Sequence, residues 1–270
     1  MAVIDSTVFD LSALDALAQR DSFVHRLDPR AKLITALIFV VTVASFGKYS
    51  VSALLPYLVF PAALIAGGRL PLGLLARKLL LVAPFAVFIG IFNPLLDHHI
   101  LFHLGSLPVT GGWVSFCSIL LRFVLTIGIA LILIATTSFP GVCLALEKIG
   151  APRVFAVQLL LLYRYLFVLV DEALRMARAR ALRSFHGRGL GPRILAGLIG
   201  QLLLRTLDRA QRIHLAMLCR GFTGELHTLR RLRFGAAEAI FTLGWSALFL
   251  FFRLVNVPQA LGTLVLELSR

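Results

Sequence analysis

The sequence predicts an all-α integral membrane protein with about five transmembrane helices and a long cytoplasmic helical hairpin. Three observations carry that reading. Of 270 residues, 59% are hydrophobic and only 15% charged, with mean hydropathy +0.91. Such a composition cannot supply the polar shell of a soluble domain this size, so the bilayer is the expected solvent. Apolar runs long enough to cross a bilayer recur along the chain. Between the last two lies a stretch that is rich in arginine yet still helical in pattern.

Residues 1–26 are polar and mixed and read as a surface segment, amphipathic around Leu11 to Leu17. Asp5, Asp10, Asp15 and Asp21 interrupt any signal-peptide pattern. The run Leu27-Asp28-Pro29-Arg30-Ala31-Lys32-Leu33 follows. Asp28 can accept backbone N–H bonds as an N-cap, and Pro29 suits the first helical turn, where its missing donor costs nothing. Spans are predicted over 31–46, 51–66, 79–96, 114–136 and 236–252, against the roughly 20 residues that a crossing needs. The resulting organisation is a surface segment (1–26), four spans (27–138), a cytoplasmic helical region (139–234) and a fifth span with a tail (235–270).

Loop charges give the orientation. Arg20, Arg26, Arg30 and Lys32 flank the first span, and Arg69, Arg77 and Lys78 lie between the second and third. From Arg175 to Arg233 there are 13 arginines and two acids, Asp208 and Glu225. The alternate loops hold only Lys48, or no Lys or Arg at all. The positive-inside rule therefore puts the N-terminus and the basic region in the cytoplasm and the C-terminus outside. A nucleic-acid reader would not also carry spanning segments, so the basic excess does not indicate nucleic acid.

The basic region reads as two helices. One begins after Pro152 and runs to about Phe185, apolar at first and then basic. The other runs from about Arg193 to Phe222, with glycines and Pro192 between them. On the second, Leu203, Leu207, Ala210, His214 and Met217 keep to one face, with Arg205, Asp208, Arg209 and Arg212 opposite. Each helix ends on a lone arginine and a small residue: Leu182-Arg183-Ser184 and Cys219-Arg220-Gly221. Arginine at one helix C-terminus is ordinary dipole chemistry, and Gly221 is an ordinary stop. Two matching ends in one hairpin suggest tips that enter grooves on a soluble partner.

These segments resemble a known family. Leu27, Asp28, Pro29, Arg30 and Lys32 match the opening motif of the transmembrane T-component of energy-coupling factor (ECF) transporters. Glu172-Ala173-Leu174-Arg175-Met176 with Arg183-Ser184 is similar to its first signature, and Leu215 to Phe222 to its second. The family signatures read Ala-Arg-Gly or a close variant. Leu182 and Cys219 stand here in place of Ala, and Ser184 in place of Gly. The resemblance implies that Leu182, Arg183, Ser184, Cys219, Arg220 and Gly221 dock on two ABC ATPase subunits. Ala145 to Arg153 and Leu162 to Tyr165 look most like the CbiQ branch, which serves cobalt and nickel uptake. That implies CbiO-like ATPases, a CbiM-like substrate-binding membrane S-component and a small CbiN-like subunit as a further candidate partner.

No bond-making chemistry is legible. There is no GxxxxGK[ST], Gly-x-Ser-x-Gly or HExxH, so the chain reads as a non-catalytic subunit without a cofactor, its ATP handled by another polypeptide. Cys117, Cys143 and Cys219 have neither zinc-site nor disulfide spacing. His98, His99 and His103 raise the idea of a metal ion shared by His99 and His103, four apart on a helix, against the plainer reading of a solvated loop. Arg122 and Arg253 lie within apolar spans, where arginine is costly. Rival readings are a conventional ABC permease, which should carry one coupling motif and a polar path, and a membrane protein whose basic hairpin binds anionic lipid.

Overall fold

The computed structural model describes residues 17–18, 20, 22–96, 100–104, 107–183, 191–224 and 234–255. In chain order the helices are α1 (Phe23–Arg26), α2 (Pro29–Ala44) and α3 (Val51–Leu54), a 3-10 turn (Leu55–Leu58), then α4 (Val59–Gly68), α5 (Leu72–Gly90) and α6 (Phe92–Leu96). A two-stranded hairpin, β1 (Ile100–Leu104) and β2 (Leu107–Thr110), precedes α7 (Gly111–Thr137), α8 (Phe139–Ile149), α9 (Arg153–Arg183), α10 (Pro192–Cys219) and α11 (Ala236–Leu254). The chain divides into two compact units, one of residues 15–138 with 232–270, the other of 139–231 with 1–14.

In the first unit, α2 starts where Asp28 and Pro29 predict. The Asp28 carboxylate accepts the Arg30 N–H at 2.9 Å, and Pro29 is the first helical residue. Phe39 and Val43 on α2 are fully buried, because α2 packs against both α7 and α11. An aromatic cluster fills that junction. The Phe39 ring lies 5.1 Å from Phe60 and 5.3 Å from Phe249, centroid to centroid. The Tyr57 hydroxyl donates to the Phe249 carbonyl at 2.8 Å, satisfying the one polar atom that this ring buries.

Among the described residues, five helical segments are long and apolar enough to cross a membrane: Val51–Gly68, Leu72–Pro94, Gly111–Thr137, Arg153–Arg183 and Ala236–Leu254. The number is as predicted, but one member differs. The first predicted span forms α2, which at 16 residues rises about 24 Å and is shorter than these five. The helix expected to lie in the cytoplasm, α9, qualifies instead. Its 31 residues rise about 46 Å, and its first half is almost wholly apolar.

The hairpin β1–β2 lies in what the sequence suggests is a plain loop. The strands pair antiparallel, Phe102 opposite Val109 and Leu104 opposite Leu107, with an irregularity between Ile100 and Phe102. Alternating bulky residues favour strand here.

The second unit is helical throughout its described residues. The α8 helix, which the sequence reading did not separate, ends in a Schellman motif: Gly150 N–H donates to the Glu147 carbonyl and Ala151 N–H to that of Leu146. Gly150 takes φ 128 there, a conformation for glycine, and Pro152 then precedes α9. Phe139 stacks on Tyr163 with centroids 4.7 Å apart, holding α8 on α9.

Candidate functional site

The two arginine tips are built differently. α9 runs to Arg183, with Leu182 85% exposed beside it; Ser184 lies outside the described residues. α10 ends at Cys219, and Arg220 is its cap residue with φ −92 and ψ 9. Gly221 N–H then donates to the Leu218 carbonyl and Phe222 N–H to that of Met217, both at 3.0 Å. That pair of bonds is a Schellman closure, and it requires the left-handed backbone that Gly221 adopts at φ 79. The chain reverses at Gly221. Arg220 is left exposed at the apex, and Phe222 turns back to line a groove with Met217.

α9 and α10 are joined where Arg205 of α10 forms an ion pair with Glu172 of α9. On one side of that ion pair a groove of about 800 Å³ opens between them. Gln158, Leu161 and Tyr165 of α9 form one wall, and Ala210, His214 and Met217 of α10 form the other. The C-terminal half of α10 therefore lies along the N-terminal half of α9, so the helices run antiparallel. Arg183 lies about 16 Å beyond the ion pair along α9, and Arg220 about 22 Å beyond it along α10 in the other direction. The tips are at opposite ends of the hairpin.

The apolar face predicted on α10 is largely as expected. Leu207, Ala210, His214 and Met217 line the groove, while Leu203 is 57% exposed outside it. Arg209 borders this groove and also shares a small polar pocket with Arg205, Asp208 and Arg212, the residues it was grouped with. The seam is open: no residue of α10 is buried. The α9 wall was not read from the sequence, although Val154, Gln158, Leu161, Tyr165 and Val168 repeat at helical spacing and could have revealed it.

Neither Arg183 nor Arg220 has an ion-pair partner among the described residues. Each is a permanent cation with forked donors beside an exposed leucine, Leu182 or Leu218. Such a tip can form paired bonds to a carboxylate or to carbonyl groups while its leucine fills an apolar hollow.

The opening motif acts within the first unit. Leu27, Asp28, Pro29 and Lys32 are buried, and the Arg30 guanidinium stands 3.9 Å from the Asp28 carboxylate. Lys32 reaches across to donate to the Thr136 carbonyl at 2.9 Å. That carbonyl belongs to the last turn of α7, where backbone acceptors lack helical donors and a cation is favoured. The motif caps one helix and ties down the end of another.

The two arginines within spans have a matching job at the other end of α2. Arg122 donates to the Gly47 carbonyl. Arg253 donates to the Ser45 carbonyl at 3.2 Å and lies over the Phe46 ring at 4.3 Å. Both close the carbonyls just after α2, which accounts for arginine in an apolar setting.

The metal idea loses its geometry. His103 lies on β1, not on a helix, and His98 and His99 fall outside the described residues. Among the described residues no three His, Cys, Asp or Glu side chains cluster as a metal site. Cys143 is buried in α8, and burial pushes its thiol up.

The family profile described as cobalt transport protein, CbiQ, matches residues 20–229. The chain is 29% identical over 218 residues to the energy-coupling factor transporter transmembrane protein EcfT of Bacillus subtilis, covering 75% of this chain and 82% of that one. It is 28% identical to the protein of the same name from Acidaminococcus fermentans, covering 85% and 91%. It is 34% identical to the cobalt transport protein CbiQ of Salmonella typhimurium over 96 residues, which cover 35% and 43%. With five helical segments able to cross a bilayer and the family match over most of its length, the chain belongs to the CbiQ/EcfT family, the multi-pass transmembrane T-components of ECF transporters.

Proposed function

We propose that this T-component couples ATP hydrolysis by two partner ABC ATPases to a substrate-binding membrane subunit, and that Leu182–Ser184 and Cys219–Gly221 are its docking tips. The observation that carries this reading is the placement of Arg183 and Arg220, exposed and without ion-pair partners among the described residues, at opposite ends of one antiparallel helix pair. That spacing suits two separate docking surfaces better than one. Closure of the ATPases would move the tips, and the hairpin would pass the motion to the membrane partner, whose reorientation releases substrate inward.

The substrate reading is cobalt or nickel, with CbiO-like ATPases and a CbiM-like membrane subunit, supported by the family description and the Salmonella relative. A second reading is a T-component that serves another micronutrient. The EcfT-named relatives favour it, because they align over three quarters of the chain or more, whereas the CbiQ relative aligns over about a third. The Lys and Arg asymmetry of the loops supports a bacterial inner-membrane location with the N-terminus and both tips in the cytoplasm, and in this reading α9 lies along the membrane surface rather than crossing it.

The test is a double charge reversal, Arg183→Glu with Arg220→Glu, in chain co-expressed with its ATPases. The expected result is normal membrane insertion and loss of ATPase co-purification. Undiminished co-purification overturns the docking assignment. Cobalt uptake by cells expressing the complete complex separates the two substrate readings.

A further inference from the structure

A second groove lies in the first unit. It is bounded by α4, α5 and α7, has a volume of about 730 Å³, and is walled by residues that include Leu58, Ile65, Leu79 and Gly128. Among the described residues, Arg69 is the one charged group on its walls.

Arg69 is held there in an unusual way. Its N–H donates to the Ala66 carbonyl, and the Leu70 N–H donates to that of Ile65. This is the same Schellman closure as at Gly150 and Gly221, but its left-handed position holds arginine, at φ 49 and ψ 42. Glycine is the usual occupant because a Cβ is strained in that conformation. Gly67 and Gly68 stand immediately before it, so the chain has glycine to hand and places arginine at the strained position. Strain of this kind is characteristic of functional sites. Arg69 is exposed, and it has no ion-pair partner among the described residues.

The position of the groove in the bilayer follows from its neighbours. A Cβ added to Gly68 would lie 3.7 Å from Thr136, whose carbonyl binds Lys32. Arg69 therefore sits at the basic end of the helix bundle. From there the groove leads into the apolar interior of the spans, as far as Leu58 and Val124. From Arg69 to Leu58 the helical rise is about 16 Å, about half of the roughly 30 Å hydrocarbon core. A partner's membrane helix, about 10 Å wide and as long as the whole core, does not suit a groove confined to one leaflet.

We propose that this groove is a binding site for one anionic phospholipid. An acyl chain lies along α4, α5 and α7, and the phosphate accepts hydrogen bonds from the Arg69 guanidinium. Cationic pockets at the ends of membrane helices bind anionic headgroups by the same chemistry. The site shares no residue with the docking tips, and its test needs no ATPase.

The test is native mass spectrometry of the full chain purified in detergent and exposed to dioleoyl phosphatidylglycerol or dioleoyl phosphatidylcholine, which share their acyl chains. Both lipids offer the phosphate, but only phosphatidylcholine brings a quaternary ammonium beside Arg69, so wild type should retain one phosphatidylglycerol about fivefold better than phosphatidylcholine. Arg69→Gly relieves the backbone while removing the charge, so the variant should be at least as heat-stable and bind the two lipids equally. Gly128→Phe should remove retention of both, and a Cβ at that position meets nothing within 4 Å. Equal retention of the two lipids by wild type, selective retention by Arg69→Gly, or undiminished retention by Gly128→Phe would each overturn the proposal.

Discussion

The Lys32 ammonium, on the first turn of α2, donates to the Thr136 carbonyl on the last turn of α7 at 2.9 Å, across 104 positions of sequence. Both groups are buried. Truncating the lysine leaves that acceptor dry. Lys32→Met should cost about 2–3 kcal/mol and lower the melting temperature of the purified chain in detergent. Unchanged melting would show that water or a neighbour replaces the bond.

Because the tips lie at opposite ends of the hairpin, their losses should be separable. Arg183→Glu alone, and Arg220→Glu alone, should each reduce the complex from two bound ATPases to one. Mass photometry of the purified complexes distinguishes this from the all-or-none loss that a shared docking surface would give.

Gly221 holds the reversal that exposes Arg220, at φ 79. Gly221→Ala should cost about 1–2 kcal/mol locally and weaken ATPase association without affecting insertion. Gly197→Ala is the control, since Gly197 lies within α10 and a Cβ there meets nothing within 4 Å; it should leave association intact.

His25 gives a pH dependence. Its Nε2–H donates to the Leu17 carbonyl at 3.0 Å, and its Nδ1 accepts from the Ser22 hydroxyl at 2.6 Å. Burial, then the charges of Lys32 and Arg20, holds the imidazole below its ordinary 6.5, against the pull of the Leu17 and Ala135 carbonyls. The folded chain therefore resists protonation more than the unfolded chain does. Above pH 6.5 both are neutral, and the full stability is present. As pH falls below 6.5 the unfolded chain takes the proton first, and stability drops until the folded pKa is passed. Thermal unfolding at pH 7.5 and 5.5 should show this loss, and His25→Gln should reduce it.

The Glu172–Arg205 pair is partly exposed, the carboxylate side chain at 18% and the arginine at 59%. Its net contribution should be at most about 1 kcal/mol. A double-mutant cycle with Glu172→Gln and Arg205→Gln measures it, and high salt should shrink it.

Helix ends and helix faces were legible because they rest on local chemistry. Asp28 and Pro29 start α2 as their side chains dictate, and Gly221 stops α10. Leu207, Ala210, His214 and Met217 share a wall because their spacing matches the helical turn. What depends on chain meeting chain was not legible. Lys32 reads as a loop charge until Thr136 is found beside it, and Arg122 and Arg253 look misplaced until the carbonyls of Gly47 and Ser45 appear.

The ion pair of Glu172 and Arg205 divides the helix pair into unequal arms, about 16 Å to Arg183 and about 22 Å to Arg220. A rigid pair turning about that point would act as a first-class lever with its fulcrum off centre. Displacement at Arg220 would reach Arg183 reduced by about a quarter, and force would be amplified by about a third. Two ATPases making equal strokes would then drive the pair to translate as well as rotate, so identical motors would deliver an asymmetric push.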